Sequence, residues 1–322
     1  MSGAKDSDTS ELGEAFAELR PDLLRHCYRM LGSFAEAEDV AQDALLRAWR
    51  ARETYAGDAP LAHWLMRIAT NACLSRLTRE RPRALPRLER APAAADAVIE
   101  TLEAASWVTP APDAELFPDP SRAVEAREEV ALAFIALLQR LSPKQRAVLL
   151  LKDVVGWSAE EIASALELTL SSVNSALHRA RETVAARPRG RVEEPPAELL
   201  DAYVRSWETR DLDALVALLQ KDVAFAMPPH ATWFRGVDTV RAFLQTPRFA
   251  AFWARGLSAL RTRANGLPAV VWYLGGPEAP QGPHSIHVMH FVDGALAEAT
   301  NFIGPEYLHG FELPTTLARR PR

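Results

Sequence analysis

Apolar residues recur at helical spacing through the first half of the chain and alternate in strand-like fashion toward its end. Leu19, Leu23, Leu24, Cys27, Tyr28 and Leu31 form one helical stripe, which Gly32-Ser33 interrupts. Ala37, Val40, Ala41, Ala44, Leu45 and Ala48 form a second, predicting a helix over residues 35–52. A loop at 54–60 leads into a long helix over 61–81. The pattern then lapses from 82 to 120, where seven prolines and many alanines read as a linker with one short helix near 98–105. Helical spacing resumes over 121–187, and a second break falls at 188–196. Beyond it the grammar changes: a helix over 199–219, a strand at 223–227, a helix at 237–244, and strands at 259–264, 269–274 and 285–292. Asn265-Gly266 and Asp293-Gly294 are dipeptides that favour tight hairpins. The expected architecture is multidomain: all-α units at 12–81 and 121–187, joined by the acidic Pro/Ala-rich linker 82–120, then an α+β domain at 196–313.

The stretch LSPKQRAVLLLKDVVGWSAEEIASALELTLSSVNSALHRARETV, residues 141–184, carries the pattern of a helix-turn-helix. Ser142-Pro143-Lys144-Gln145 and Ser158-Ala159-Glu160-Glu161 are both capping boxes, a hydroxyl followed three residues on by Gln or Glu. Ile162, Ala163 and Leu166 supply the inner face of a short helix, Leu168 fills the turn, and Thr169 caps a third helix whose Val173, Ala176 and Leu177 point inward. Glu167 stands where such turns usually carry glycine. The outer face of the third helix bears Ser171, Ser172, Asn174, Ser175, His178, Arg179 and Arg181, short hydrogen-bonding groups first and cations after. A major-groove reading helix has that composition.

Charge sharpens this picture. The 322-residue chain has a net charge of −5, which argues against a uniformly basic coat. Yet residues 61–90 hold seven Arg against two Glu, and residues 170–191 hold five Arg against one Glu. Two separate basic segments point to two contacts with a polyanion. Cys27 and Cys73 are the only cysteines, both on apolar helix faces, and read as buried structural thiols. The opening residues 1–10 are polar and expected to be unstructured. No leader is evident, and no apolar run reaches the roughly 20 residues that span a bilayer, so the expected home is the cytoplasm, with no membrane partner. His284, His287 and His290 fall on one strand; alternation sends His287 to the face opposite the other two, which argues against a shared metal. Neither a metal nor a cofactor is expected.

CYRMLGSFAEAEDVAQDALLRAWRA, WLMRIATNACLSRLTRER and the helix-turn-helix ending SALHRARETV, in that order, resemble regions 2.2, 2.3–2.4 and 4.2 of extracytoplasmic-function (ECF) sigma factors of RNA polymerase. The resemblance covers about residues 16–184. ASWVTPAPDAELFPDP and the tail beyond Pro196 resemble the subgroup that carries a SnoaL-like, NTF2-type cone at the C-terminus. The resemblance implies a non-enzymatic promoter-specificity subunit whose partners are core polymerase, through its largest-subunit coiled coil and flap, and promoter DNA. It implies that Glu36, Glu38, Asp39, Gln42 and Asp43 dock on the polymerase, where acidic charge suits a basic coiled coil. Arg67, Asn71, Arg76, Arg79 and Arg81 would meet the −10 element, and the loop 54–59 would hold an extruded base. Trp49 and Trp64 lie close by at core spacing and read as packing residues. The helix-turn-helix residues named above would meet the −35 element, with Arg179 and Arg181 on phosphates. Candidate lining groups of a tail pocket, with an unidentified small molecule as occupant, are Trp207, His230, Trp233, Trp253, His287, Met289 and Asn301. The rival reading is a one-component helix-turn-helix regulator whose tail is a working cyclase or isomerase.

Overall fold

The computed structural model describes residues 3–55, 57–79, 82–119, 128–185, 194–275 and 282–317, with side chains from Leu12 onward. The chain divides into two compact units. The first gathers residues 1–82, 115–118 and 137–187; the second gathers 83–114, 119–136 and 188–322.

In the first unit, α1 (Gly3–Leu31), α2 (Phe34–Arg50) and α3 (Leu61–Leu77) pack as a bundle. Helix α1 starts inside the polar opening expected to be unstructured. Its inner face, including Leu23, Leu24, Cys27 and Leu31, is buried against Ala37, Ala41, Ala44, Ala69 and Cys73. Small alanines let the helices approach closely. Burial raises the Cys73 thiol well above its ordinary value, with a contact from the neighbouring Cys27 adding to the rise, so Cys73 sits protonated; both cysteines are free and buried in the core. His26 is buried against the Thr70 hydroxyl at 2.9 Å, and burial holds its imidazole down at about 3, hence neutral.

After α4 (Leu132–Gln139), α5 (Pro143–Asp153), α6 (Ala159–Ala165) and α7 (Leu170–Ala185) build the second helical motif of this unit. Both capping boxes form: Ser142 accepts from the Gln145 N–H while the Gln145 side chain accepts from the Ser142 N–H, and Ser158 and Glu161 do the same. Arg146, only 1% exposed, donates to the Met30 carbonyl, to Gln139 Oε1 at 2.5 Å, and to the carbonyls of Gln139 and Leu141 at 3.2 Å each. Gln139 in turn donates to the Arg29 carbonyl at 3.3 Å. The Gln139 amide lies over Gly32, where a Cβ would come within 2.9 Å of it, and Gly32 itself has φ +72°. The break Gly32-Ser33 therefore serves both the turn and this contact.

The second unit is a six-stranded sheet in the order β2-β1-β6-β5-β4-β3, built from β1 (Leu219–Ala226), β2 (Trp233–Arg235), β3 (Leu257–Ala264), β4 (Leu267–Leu274), β5 (Gly282–Val292) and β6 (Ala295–Ile303). Helices α8 (Ala197–Thr209), α9 (Leu212–Ala217), α10 (Val237–Leu244) and α11 (Pro247–Trp253) complete it. Sequence reading gives α8 and α9 as one helix; Arg210, at φ +62°, divides them. It also passes over β2, β6 and α11. The two hairpins turn at Asn265-Gly266 and Asp293-Gly294, each with both residues at positive φ.

Residues 83–114 read from the sequence as linker, yet here they lie in the second unit as an extended strap. Trp107 and Val108 are its buried anchors, and in place of the short helix expected near 98–105 there is one 3-10 turn, Ala104–Ser106. The strap runs its backbone along the sheet edge: the Ala93 N–H donates to the Trp233 carbonyl and the Ala231 N–H to the Glu100 carbonyl, each at 2.8 Å. Edge pairing with a distant segment is invisible to local periodicity. At the other end Asn265 is fully buried: it accepts from the Ala111 N–H at 2.9 Å and donates to the Val130 carbonyl at 2.7 Å.

Asn265→Ala deprives two buried backbone groups of partners and puts a Cβ-bearing residue without a helper at φ +57°. At about 1–3 kcal/mol per stranded group, the second unit should lose about 2–4 kcal/mol in urea unfolding followed by tryptophan fluorescence. A loss under about 0.5 kcal/mol, the level of an ordinary surface change, would show that the strap is not held there.

Candidate functional site

Helix α7 presents its predicted reading face to solvent. Thr169 caps it, accepting from the Ser172 N–H at 3.1 Å, and Val173, Ala176, Leu177 and Ala180 are buried. Glu167 takes the turn at φ +54°, the left-handed conformation that glycine would adopt without strain. Ser171, Ser172, Asn174, Ser175, His178, Arg179 and Arg181 are all exposed. They are not equivalent. Arg181 is held bidentately by Asp153 at 2.6 and 3.0 Å, a pairing that also raises its pKa, and His178 lies 3.4 Å from Glu182. Ser172 shares a 2.8 Å hydroxyl contact with Thr169.

Arg67 and Asn71 on α3 and Arg79 just past its end are exposed, while Arg76 turns to Glu36 at 3.6 Å. Arg81 lies outside the described residues. The loop before α3 is braced by the Tyr55 hydroxyl donating to the Ala59 carbonyl at 2.6 Å. Trp49 packs edge-on against Phe16, as its spacing predicts, with Arg52 over its ring. Trp64 departs from the core expectation: half-buried, with its ring 5.2 Å from that of Tyr55, it lines a cavity of about 540 Å³. Thr54, Tyr55, Asp58, His63 and Arg67 form one wall, and Trp157, Glu160 and Glu161 face them from the second helical motif. His63 stacks on Trp157 at 4.8 Å and sits 3.5 Å from Glu161. The Ser158 backbone N–H holds the Glu161 carboxyl below its usual range.

On α2, the acidic set divides in two. Glu36 reaches Arg76 and Glu38 reaches Arg20 at 3.3 Å, both half-buried on the surface of the bundle. Asp39 and Gln42 are exposed, and Asp43 is tied to Arg47 one turn on at 2.6 Å. Leu46, 48% exposed, continues that stripe. Sequence reading missed it, although an apolar residue at i+7 from Asp39 on an otherwise charged face is a legible sign.

The tail core is filled with rings. Trp207 meets Trp253, Trp272 and His287 at 5.1 to 5.8 Å, and Met289 packs in the same cluster. His287 is 6% exposed and bonded to the Tyr203 hydroxyl at 2.9 Å; burial, and secondarily His284, hold it at about 3. Asn301 sits directly across the ladder from His287, with its side-chain amide buried and without a hydrogen-bond partner among the described residues. Trp233 leaves the cluster: its indole N–H donates to the Arg90 carbonyl on the strap at 2.8 Å.

The open space lies beside this core, about 220 Å³ lined by Ile99, Met227, His230, Phe243, Arg248, Phe249, Phe252, His284 and Ile303. Of the predicted lining residues only His230 is among them. His284 arrives there by a bulge. Trp272 pairs with Ser285 but Tyr273 with Pro283, so His284 is the extra residue, and its ring lies 5.5 Å from Phe252. Strict alternation, which placed His284 opposite His287, fails at that point: both rings face the helices. Among the described residues no group of three His, Cys, Asp or Glu side chains could hold a metal ion, and no helix is long and apolar enough to cross a membrane.

Residues 15–83 match the Sigma-70 region 2 family, residues 131–184 the Sigma-70, region 4 family, and residues 200–299 the SnoaL-like domain family. The chain is 39% identical over 310 residues to the ECF RNA polymerase sigma factor SigG of Mycobacterium tuberculosis, covering 92% of this chain and 82% of that one. It is 30% identical over 238 residues to SigJ of the same organism, 71% of this chain and 70% of that one. The crystal structure of Mycobacterium tuberculosis SigJ shares the fold, with a TM-score of 0.58 at 23% identity over 94% of this chain and all of that one.

Burial of neutral His287 has a pH consequence. Its folded pKa, about 3, lies below the ordinary 6.5, so below pH 6.5 the unfolded chain takes up a proton that the folded one refuses. Stability of the tail should fall by about 1.4 kcal/mol per pH unit between pH 6 and 4. His287→Gln should flatten that slope in urea titrations at pH 7 and 5; an unchanged slope would mean the imidazole titrates normally.

Proposed function

The chain belongs to the ECF family of RNA polymerase sigma factors, and from that premise we propose how its parts divide the work of starting transcription. A sigma factor binds core polymerase and directs promoter recognition. In this chain we assign polymerase docking to the exposed stripe of α2, Asp39, Gln42 and Asp43 with Leu46 as its apolar anchor, facing the largest-subunit coiled coil. Glu36 and Glu38 support that face from its flank, because each is engaged by an arginine of the bundle. The helix-turn-helix motif takes the flap. Arg67, Asn71 and Arg79 are assigned to the −10 element, with Arg76 behind them.

The observation that carries the reading is the solvent face of α7, where short polar groups precede Arg179 on a doubly capped helix-turn-helix. Ser171, Asn174, Ser175 and His178 are assigned to −35 base edges and Arg179 to phosphate. Arg181 contributes once Asp153 releases it.

The cavity beside Trp64 and Tyr55 is the assigned seat of an extruded base. Trp157, Glu160 and Glu161 occupy its far wall, so two carboxylates stand where nucleic acid must enter. We therefore read this arrangement as a closed form, and promoter engagement as requiring the His63–Trp157 contact to part. The tail is read as a non-catalytic regulatory module, with the reaction compartment being the cytoplasm where polymerase works. No carboxylate lines its cavity among the described residues, and burial holds the two histidines on its edge, His230 and His284, below their ordinary range. That is a poor setting for general acid–base catalysis.

The test is run-off transcription by core polymerase with the full-length protein. Arg179→Ala should weaken promoter binding across sequences and reduce the salt slope by about 1. Asp43→Arg should lower core binding in a pull-down while leaving thermal unfolding unchanged. If the wild-type chain directs core polymerase to no start site, the proposal fails as a whole.

A further inference from the structure

The tail cavity has a composition that specifies an occupant. Its walls are Ile99, Met227, Phe243, Phe249, Phe252 and Ile303. Its polar edge consists of nitrogen groups only: His230, His284 and Arg248. Arg248 is exposed and pairs with no carboxylate among the described residues. The His284 Nδ1 atom is buried and has no hydrogen-bond partner among them. His230 is already satisfied, its Nδ1 lying 2.8 Å from the Thr101 hydroxyl. Burial, with help from Arg248 at His230 and Arg255 at His284, keeps both imidazoles below their ordinary range, so the fixed charge at the edge is the guanidinium.

We propose that this cavity binds a small apolar monocarboxylic acid, its tail among the phenylalanines and its carboxylate between Arg248 and His284. An apolar chain alone would leave the stranded imidazole nitrogen unanswered; a cationic head would be repelled by Arg248 and find no carboxylate. At about 220 Å³ the space falls below the roughly 300–1,000 Å³ that holds drug-sized ligands, which favours a medium-chain or single-ring acid.

One wall of the cavity is contributed by the strap. Ile99 lies between residues whose backbone is tied to the tail: the Ala231 N–H donates to the Glu100 carbonyl at 2.8 Å, the Glu100 N–H to Thr232 Oγ1 at 3.1 Å, and the Leu102 N–H to the Pro229 carbonyl at 3.0 Å. Occupancy and strap docking are consequently linked: an acid that pushes on Ile99 loosens these bonds, and one that packs on it tightens them. The strap is also the segment that joins the two sigma regions in sequence, so the cavity has a route to them through the chain. This inference rests on reading the tail as regulatory rather than catalytic. Its binding test uses no polymerase, so failure of either reading is seen separately.

The experiment titrates full-length protein with octanoate, octanol and octylamine by calorimetry, with hydrogen exchange read on residues 93–102 and 229–232. Octanoate should bind with a Kd below about 1 mM and at least tenfold more tightly than the alcohol or the amine. Arg248→Ala, at an exposed position, should keep the thermal unfolding midpoint and lose at least tenfold in octanoate affinity; Arg248→Lys should recover part of it. Ile99→Trp, which fills the space from the strap side, should abolish binding. Exchange at Glu100, Leu102 and Ala231 should change when the acid is bound. Equal affinity for the alcohol, preference for the amine, no binding at 5 mM, or an Arg248→Ala affinity equal to wild type would overturn the carboxylate site. Binding with unchanged exchange would overturn the link to the strap.

Discussion

The packing of the helix-turn-helix motif against α1 turns on one buried guanidinium. Arg146 enters the C-terminal end of α1, where carbonyls left free by the end of the helix carry partial negative charge, and it bridges them to the corner between α4 and α5. The stack of Trp157 on His63 and the approach of Glu161 to the same ring come from the turn and helix that follow α5. A guanidinium answered by carbonyls is a directional clasp rather than a deep well: when the helices part it regains water, which offsets much of what it loses. The geometry is specific and the cost of leaving it moderate.

The strap adds a second constraint of another kind. Its docking relies on many backbone hydrogen bonds and a few ring anchors, Trp107 against the Pro229 carbonyl and Trp233 against Arg90, rather than on a continuous apolar stripe. Each bond contributes about 0.5–1.5 kcal/mol, so the docking is strong only as a set. A segment held this way is released cooperatively.

The contrast between what was legible and what was not follows from the range of each signal. Both capping boxes, the Thr169 cap and the two hairpin dipeptides are local, and the structure forms each of them. The family resemblance was equally legible, since three motifs in order occupy one half of the chain. The strap was not, because its partner strand lies more than a hundred residues away and proline-rich sequence has no period to display. Strand β6, ALAEATNFI, is too rich in Ala, Glu and Asn to announce itself as a strand and is held by its neighbours on both sides. The tail pocket was misplaced for a related reason: tryptophans suggest a binding site by composition, but here they fill the core, and the cavity lies beside them. His284 joined it through a bulge, a register event that no count of residues foretells.

Strand β2 is three residues long and ends the sheet. Its Trp233 carbonyl is taken by the Ala93 N–H of the strap, and the Trp233 ring is nearly hidden beneath that segment. A tail severed from residues 83–114 would expose that naked edge together with an indole, the combination through which β-proteins stick to copies of themselves. Self-association of an isolated tail would thus be an artefact of where it was cut, and the same stickiness gives a cell good reason to keep this module fused to the chain that shields it.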